Sequence, residues 1–197
     1  MSFRVEEKNP LTPSDMGALR AKLLDKGMKP LFPPRRIRSI YFETDDQSMF
    51  RASEEGVLPR MKIRLRCYPE AETGWSLERK ISSIEGRFKT TEHLSQKKAE
   101  RLVRRGMMEP EVGFVTALLT VEYQRSYYRY GDQRITFDTD IQYATVSGQS
   151  RRRDPLCVSE IKASYRSSPD HLAKLIDTPR RRFSKYCNAV RLLDLDL

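Results

Sequence analysis

Three short stretches place charge where a β-strand usually places its core: Lys62-Ile63-Arg64-Leu65-Arg66, Leu77-Glu78-Arg79-Lys80-Ile81 and Glu160-Ile161-Lys162. Side chains alternate faces along a strand with period 2. Lys62, Arg64 and Arg66 would therefore share one face, and Met61, Ile63, Leu65 and Cys67 the other. Arginine offers a rigid fork of donors that matches two phosphate oxygens, and lysine offers a compact point charge. The pairs Glu78/Lys80 and Glu160/Lys162 have two readings. On an exposed sheet each is a salt bridge contributing about 0–1 kcal/mol. Beside a polyanion, the carboxylate can hold a hard divalent cation that bridges phosphate oxygens. Closing such strands into a barrel with the charges inward would make a cationic tunnel for polyphosphate-like anions.

Other chemistries find little support. His93 and His171 are the two histidines, both in polar helix-start contexts, and no nucleophile elbow anchors a Ser–His–Asp triad. Neither a Gly-x-x-x-x-Gly-Lys-Ser/Thr loop nor a Gly-x-Gly-x-x-Gly is present. Tyr123, Tyr127, Tyr128 and Tyr130 interleave with Arg125 and Arg129, a mixture that suits single-stranded nucleic acid or ordinary strand packing. The formal charge is +10, from 37 Lys and Arg against 27 Asp and Glu, which raises the local concentration of anionic partners. Arg151-Arg152-Arg153 and Arg180-Arg181-Arg182 keep nucleic acid among them. Three widely spaced cysteines, Cys67, Cys157 and Cys187, argue for a reducing compartment and against a disulfide framework or a zinc site. No apolar run is long enough to span a membrane, and Met1 to Pro10 lacks the apolar core of a secretory signal. The expectation is a cytoplasmic protein.

These side chains need strands to present them and helices to cover the strands. Phe3 to Lys8 alternates like a strand, with Glu6 and Lys8 on one face. Ser14 is placed to cap a helix over roughly 15–26 that Gly27 stops, with Leu19, Leu23 and Leu24 as its apolar stripe. Pro30, Pro33 and Pro34 predict a stiff connection, and 38–44 a strand. Strands at 61–68 and 75–81 form a hairpin, and a second helix runs from Ser95 through Arg105 with Ala99, Leu102 and Val103 inward. An apolar segment follows Pro110, then a second hairpin of 121–130 and 134–143 around Gly131-Asp132. A basic loop covers 148–154, a strand 158–163 and a helix 168–177, with a strand or turn after it. About eight strands and three or four helices in one domain, 1–197, predict an α+β fold with a closed or nearly closed antiparallel sheet.

Seven segments then occur in an order that resembles a known family: Arg-Ser-Ile-Tyr-Phe-Glu-Thr (38–44), Lys-Ile-Arg-Leu-Arg-Cys-Tyr (62–68), Leu-Glu-Arg-Lys (77–80), Val-Glu-Tyr-Gln-Arg (121–125), Arg-Ile-Thr-Phe-Asp (134–138), Glu-Ile-Lys (160–162) and Phe-Ser-Lys-Tyr (183–186). Together they resemble the VTC domain, the polyphosphate polymerase module of the vacuolar transporter chaperone complex and its bacterial relatives. That domain belongs to the triphosphate tunnel metalloenzymes, with the CYTH-type triphosphatases. The match runs from about Arg4 to Ala189, with Asn9 where an aromatic is usual and Glu43 in place of the common Asp.

The resemblance implies an eight-stranded antiparallel β-barrel, the triphosphate tunnel, with helices packed outside. It implies that Arg64 and Arg66 grip phosphates and that Lys80, Arg125, Arg134, Lys162 and Lys185 line the tunnel as catalytic cations. Lys8, Lys62, Arg87, Lys89 and Ser184 would bind substrate, and Glu160 would ligate Mn2+ or Mg2+ with Glu78 or Glu6 as helpers. The implied reaction moves the γ-phosphate of ATP, or of another triphosphate, onto a polyphosphate chain. A tunnel triphosphatase and a non-catalytic polyphosphate- or RNA-binding module are the alternatives. A membrane-protein partner is compatible with the resemblance, and nucleic acid is the less favoured ligand.

Overall fold

The computed structural model describes residues 4–71, 73–164 and 182–195. Its elements run β1 (Arg4–Leu11), α1 (Pro13–Asp25), β2 (Lys29–Glu43), α2 (Ser48–Glu55), β3 (Arg60–Cys67), β4 (Trp75–Ser82), β5 (Arg87–Leu94) and α3 (Gln96–Arg105). Then come β6 (Met107–Glu109), β7 (Gly113–Tyr130), β8 (Gln133–Thr145), β9 (Arg151–Arg153), β10 (Cys157–Ser164) and α4 (Lys185–Leu192). Eight strands form one path in the order β1-β10-β8-β7-β2-β3-β4-β5, while β6 pairs with β7 and β9 with β8. The registers of β1/β10, β10/β8, β2/β3, β3/β4, β4/β5 and β6/β7 are all antiparallel. The expected α+β class and eight-strand antiparallel path are both present. Among the described residues the path ends at β1 and β5, and β5 is exposed from Arg87 to His93, with Arg87, Lys89 and Glu92 among those residues. A charged edge of this kind resists further pairing.

The chain divides into two compact units, each with its own core. One comprises Arg36–Glu122, Gln142–Arg152 and Ser184–Leu197. In it, β3 alternates strictly, with Met61, Ile63, Leu65 and Cys67 buried and Lys62, Arg64 and Arg66 half-buried. The apolar face joins Phe42, Met49, Leu77, Leu94, Ala99 and Val115 in a core that α3 covers with Ala99, Leu102 and Val103. Burying that row removes apolar surface from water and commits the charged row to the opposite face. Arg79 breaks the pattern of β4 by lying on the core side, where Glu109 takes it bidentately through Nε and Nη2 at 2.8 and 2.5 Å.

The other unit comprises Met1–Arg35, Tyr123–Ile141 and Arg153–Phe183. Its core gathers Leu11, Met16, Leu23, Met28, Tyr128, Ile135, Phe137, Cys157 and Ile161. Helix α1 starts two residues earlier than the sequence suggests: Thr12 accepts from the Asp15 amide at 3.1 Å and Pro13 sits at the first helical position. Leu24, placed in the apolar stripe by sequence, is 41% exposed.

Four further elements differ from the sequence reading. The proline-rich connection is the start of β2, where Pro30, Pro33 and Pro34 are exposed and their missing amides cost the ladder little. Helix α2 was not anticipated; it is short, and its N-cap Gln47 is left-handed with no side-chain cap. Met49 and Phe50 nonetheless bury it against the sheet. The basic loop at 148–154 contains β9, and a helix, α4, replaces the expected terminal strand or turn because Ser184 caps it. The helix expected at 168–177 lies outside the described residues. The three cysteines are free and buried, and among the described residues no helix is long and apolar enough to cross a membrane.

Gly106 ends α3 at φ +70°, and a Cβ there would stand 2.5 Å from the Val115 carbonyl oxygen and 2.7 Å from the Phe114 ring. Gly106→Ala should therefore destabilise the protein by about 1–3 kcal/mol, read as a lowered urea midpoint with an unchanged slope.

Candidate functional site

Cross-strand register turns the alternation into two ionic clusters, one in each unit. In the unit containing β3, Lys62 faces Lys80, and Lys80 faces Lys89 on β5. Like charges directly opposite each other destabilise a sheet. This row of three lysines concentrates positive charge across three strands, answered at Lys89 by Glu78. The next row runs from Tyr41 through Arg64 and Glu78 to Thr91, and the next from Ser39 through Arg66 to Ser76 and His93.

Glu78 is the counter-charge that lets these cations coexist. Arg64 reaches its Oε2 through Nε at 2.7 Å and Nη2 at 2.6 Å, Lys89 reaches Oε1 at 2.6 Å, and Arg66 stands 3.9 Å away. Burial pushes the Glu78 carboxyl up, but Arg64, Arg66 and Lys89 outweigh it and hold the group down at about 2. Lys62 donates to Ser184 Oγ at 2.9 Å, and the same oxygen accepts from the Cys187 amide at the start of α4. The helix cap thus fixes where the Lys62 ammonium sits. Lys185 opens α4, half-buried, and Arg87 is exposed opposite Ser82.

The second cluster lies on β1, β10, β8 and β7. Arg134 faces Lys162, which faces Glu6, and Thr136 faces Glu160, which faces Lys8. The two carboxylates and two ammoniums interlock: Lys8 to Glu6 at 2.9 Å, Lys162 to Glu160 at 3.0 Å, Lys162 to Glu6 at 3.8 Å and Lys8 to Glu160 at 4.0 Å. Arg125 enters from β7, holding the fully buried Asp138 through Nε at 2.5 Å and Nη2 at 2.7 Å. Its Nη2 lies 3.7 Å from Glu160, and its guanidinium lies over the Tyr123 ring at 5.3 Å. Burial pushes Glu160 up, yet Lys8, Arg125 and Lys162 bring it below the ordinary carboxylate range. It is ionised at neutral pH, as a metal ligand must be.

Among the described residues no group of three or more His, Cys, Asp or Glu gathers to hold a metal. Glu160 and Glu6 offer a pair of hard oxygen donors around the same two lysines. That set suits Mg2+ or Mn2+, which take one or two carboxylates and fill their remaining positions from substrate phosphate and water. Both Glu78 oxygens are bonded to Arg64 and Lys89. Lys62, Arg64, Arg66, Glu78, Lys80, Lys89 and Ser184 fall in one cluster, and Glu6, Lys8, Arg125, Arg134, Glu160 and Lys162 in the other.

Three participants escaped the sequence reading. Asp138 ends the quoted segment Arg-Ile-Thr-Phe-Asp, and its pairing with Arg125 depends on the β7–β8 contact. Tyr41, inside Tyr-Phe-Glu-Thr, faces Arg64 across β2 and β3. Glu43 accepts from the Thr44 and Met49 amides at 2.9 and 3.1 Å and from the Tyr186 hydroxyl, tying β2 to α2 and α4. A carboxylate two residues beyond Tyr41 in a strand was the available signal for this last group.

The family model for the VTC domain matches residues 3–194. No protein of curated function matches the chain. Among solved structures, a candidate adenylate cyclase from Bacillus halodurans aligns with a TM-score of 0.64 at 15% identity, over 97% of this chain and 97% of that one. A protein from Pyrococcus horikoshii aligns at 0.57 and 14% identity, over 98% and 99%. A candidate adenylate cyclase from Vibrio parahaemolyticus aligns at 0.54 and 13%, over 95% and 98%. These likenesses are likenesses of fold.

Two stability outcomes follow from the clusters. Arg125→Leu strands the buried Asp138 charge and should cost about 3–5 kcal/mol by urea denaturation, with Arg125→Leu/Asp138→Leu recovering much of the loss. Glu78 is held below its unfolded value, so its contribution is complete above about pH 4.5 and is lost as pH falls towards about 2. Unfolding midpoints measured across that window should fall more steeply for wild type than for Glu78→Gln.

Proposed function

The chain belongs to the VTC domain family, and from that premise we propose that it binds a triphosphate and transfers the γ-phosphoryl group of ATP onto a polyphosphate chain. The observation that carries the reading is the row Lys62–Lys80–Lys89 beside Arg64 and Arg66, a set of cations with Glu78 as their counter-charge. Phosphoryl transfer asks a protein for positioning and charge neutralisation more than for covalent help. Arg64 and Arg66 supply forked donors to phosphate oxygens, and Lys62, Lys80 and Lys89 spread positive charge along the chain of phosphates. Exchange of the Glu78 contacts for phosphate contacts makes the site preorganised rather than newly assembled on binding.

In the transfer, an oxygen of the acceptor's terminal phosphate forms the new bond to the γ-phosphorus. The bond from that phosphorus to the β,γ-bridging oxygen breaks, and ADP leaves with the electron pair. Glu160 and Glu6 would hold a divalent cation, Mn2+ or Mg2+, which supplies neutralisation of charge on phosphate oxygens when bound. Lys8, Arg125 and Lys162 hold the Glu160 carboxyl below its ordinary range, and Lys8 and Lys162 orient Glu6 by their salt bridges to it. Hydrolysis would use the same lining with water in place of the acceptor phosphate, so the product separates the readings.

Purified protein incubated with ATP and either Mn2+ or Mg2+ should produce long polyphosphate on a gel together with ADP. Free phosphate without polyphosphate would replace transfer by hydrolysis, and tight binding with neither product would make the chain a binding module. Arg64→Ala/Arg66→Ala removes two charge-assisted contacts of roughly 1.5–3 kcal/mol each. Calorimetry should then show tripolyphosphate binding weakened at least about 100-fold. Glu160→Gln should lose metal-dependent turnover; equal activity and equal metal dependence would remove Glu160 from the role.

A further inference from the structure

Two stacked tyrosines behind the arginine cluster differ in one respect. The rings of Tyr41 and Tyr186 lie 5.1 Å apart and 24° from parallel. The Tyr186 hydroxyl donates to Glu43, so its proton is satisfied. The Tyr41 hydroxyl accepts from Arg64 Nη1 at 2.9 Å and, among the described residues, donates to nothing. Tyr41 is 7% exposed, and a buried hydroxyl with an undonated proton carries a desolvation penalty.

The groups around this hydroxyl are mostly cationic. Arg64, Arg66 and Lys62 face it from β3, Tyr186 faces it from α4, and Ser39 and Glu43 flank it on β2. Glu78 reaches it only through Arg64, whose Nε and Nη2 it occupies, leaving Nη1 to the phenol. One arginine thus joins a carboxylate and a phenol oxygen, and an anion gripping Arg64 would arrive beside an O–H that lacks an acceptor.

We propose that Tyr41 is a further phosphate-binding residue: protonated, it donates to a phosphate held by Arg64, and ionised, it competes with that phosphate for the guanidinium. The inference rests on the proposed triphosphate site. Burial pushes the Tyr41 phenol up, but Arg64, Arg66, the Arg64 hydrogen bond and Lys62 together bring it down to about 8. Below that pH the phenol is neutral and offers its proton. Above it, the phenolate neutralises one cation of the cluster. A phosphate anion bound alongside opposes ionisation, so binding above about pH 8 takes up one proton from solvent onto the phenolate oxygen, and affinity falls as pH rises.

The test uses the full chain with inorganic tripolyphosphate as probe. Ultraviolet difference absorbance of tyrosinate should show one phenol titrating near pH 8 in wild type and missing in Tyr41→Phe. Saturating tripolyphosphate should reverse that signal in wild type at about pH 9, a readout that needs no variant. By calorimetry, the affinity loss between about pH 7 and about pH 9 should be about tenfold greater in wild type than in Tyr41→Phe. The same loss in both proteins, or a phenol signal indifferent to tripolyphosphate, overturns the role of Tyr41 and leaves the triphosphate site standing. Absence of tripolyphosphate binding at every pH overturns both.

Discussion

Repulsion between cations that the sheet holds opposite one another sets the terms for the unit built on β3. Lys62, Lys80 and Lys89 lie in one cross-strand row, and on β3 and β4 the other face is committed to the core. Ile63 and Leu65 are fully buried, and a shift of register by one residue would exchange the two faces. The apolar row therefore pins the charged row. What remains is a cationic surface held in place by the core behind β3 and β4.

Buried carboxylates make that tolerance quantitative. Glu78 takes three cations, and Asp138 takes Arg125. Glu160 and Glu6 share Lys8 and Lys162. Such pairs are weak evidence of net stability, because desolvation offsets most of the attraction. Their value lies in orientation: they hold guanidinium and ammonium groups in place before any ligand arrives, which is what electrostatic preorganisation requires. The carboxylates also differ in availability. Glu78 and Asp138 have both oxygens bonded to cations, whereas Glu6 and Glu160 each place one oxygen within 3.0 Å of a lysine and the other 3.7 to 4.0 Å from its cations.

The aromatic stack extends the same logic from charges to a hydroxyl. Glu43 anchors Tyr186 through a hydrogen bond that ties strand to helix, and Tyr186 in turn supports the ring of Tyr41 against Arg64. Substituting Glu for the shorter Asp at position 43 lengthens the arm without removing the acceptor. The VTC family relationship accounts for the order of segments along the chain, and the stack shows how two of those segments, 38–44 and 183–186, come to act on each other.

Much of this was legible in the sequence because its cause is local. Period-2 alternation in Met61–Cys67 dictated which side chains share a face, and the burial of β3 follows it residue by residue. Apolar spacing in α3 named Ala99, Leu102 and Val103 as its inner face. The elements that escaped, α2, β5 and α4, carry weak signals in their own residues; burial of Met49, Phe50 and Tyr186 holds the two helices, and pairing with β4 holds β5. The sequence by itself determined the faces, the charge of each face and the family. Tertiary structure alone decided which cation meets which carboxylate: Lys62 against Lys80, Arg125 with Asp138, Tyr41 on Arg64. Those pairings depend on strand register, which alternation along one strand leaves open, while Lys62 with Ser184 and Glu43 with Tyr186 join segments more than a hundred residues apart, where packing of the whole chain decides rather than any segment's preference.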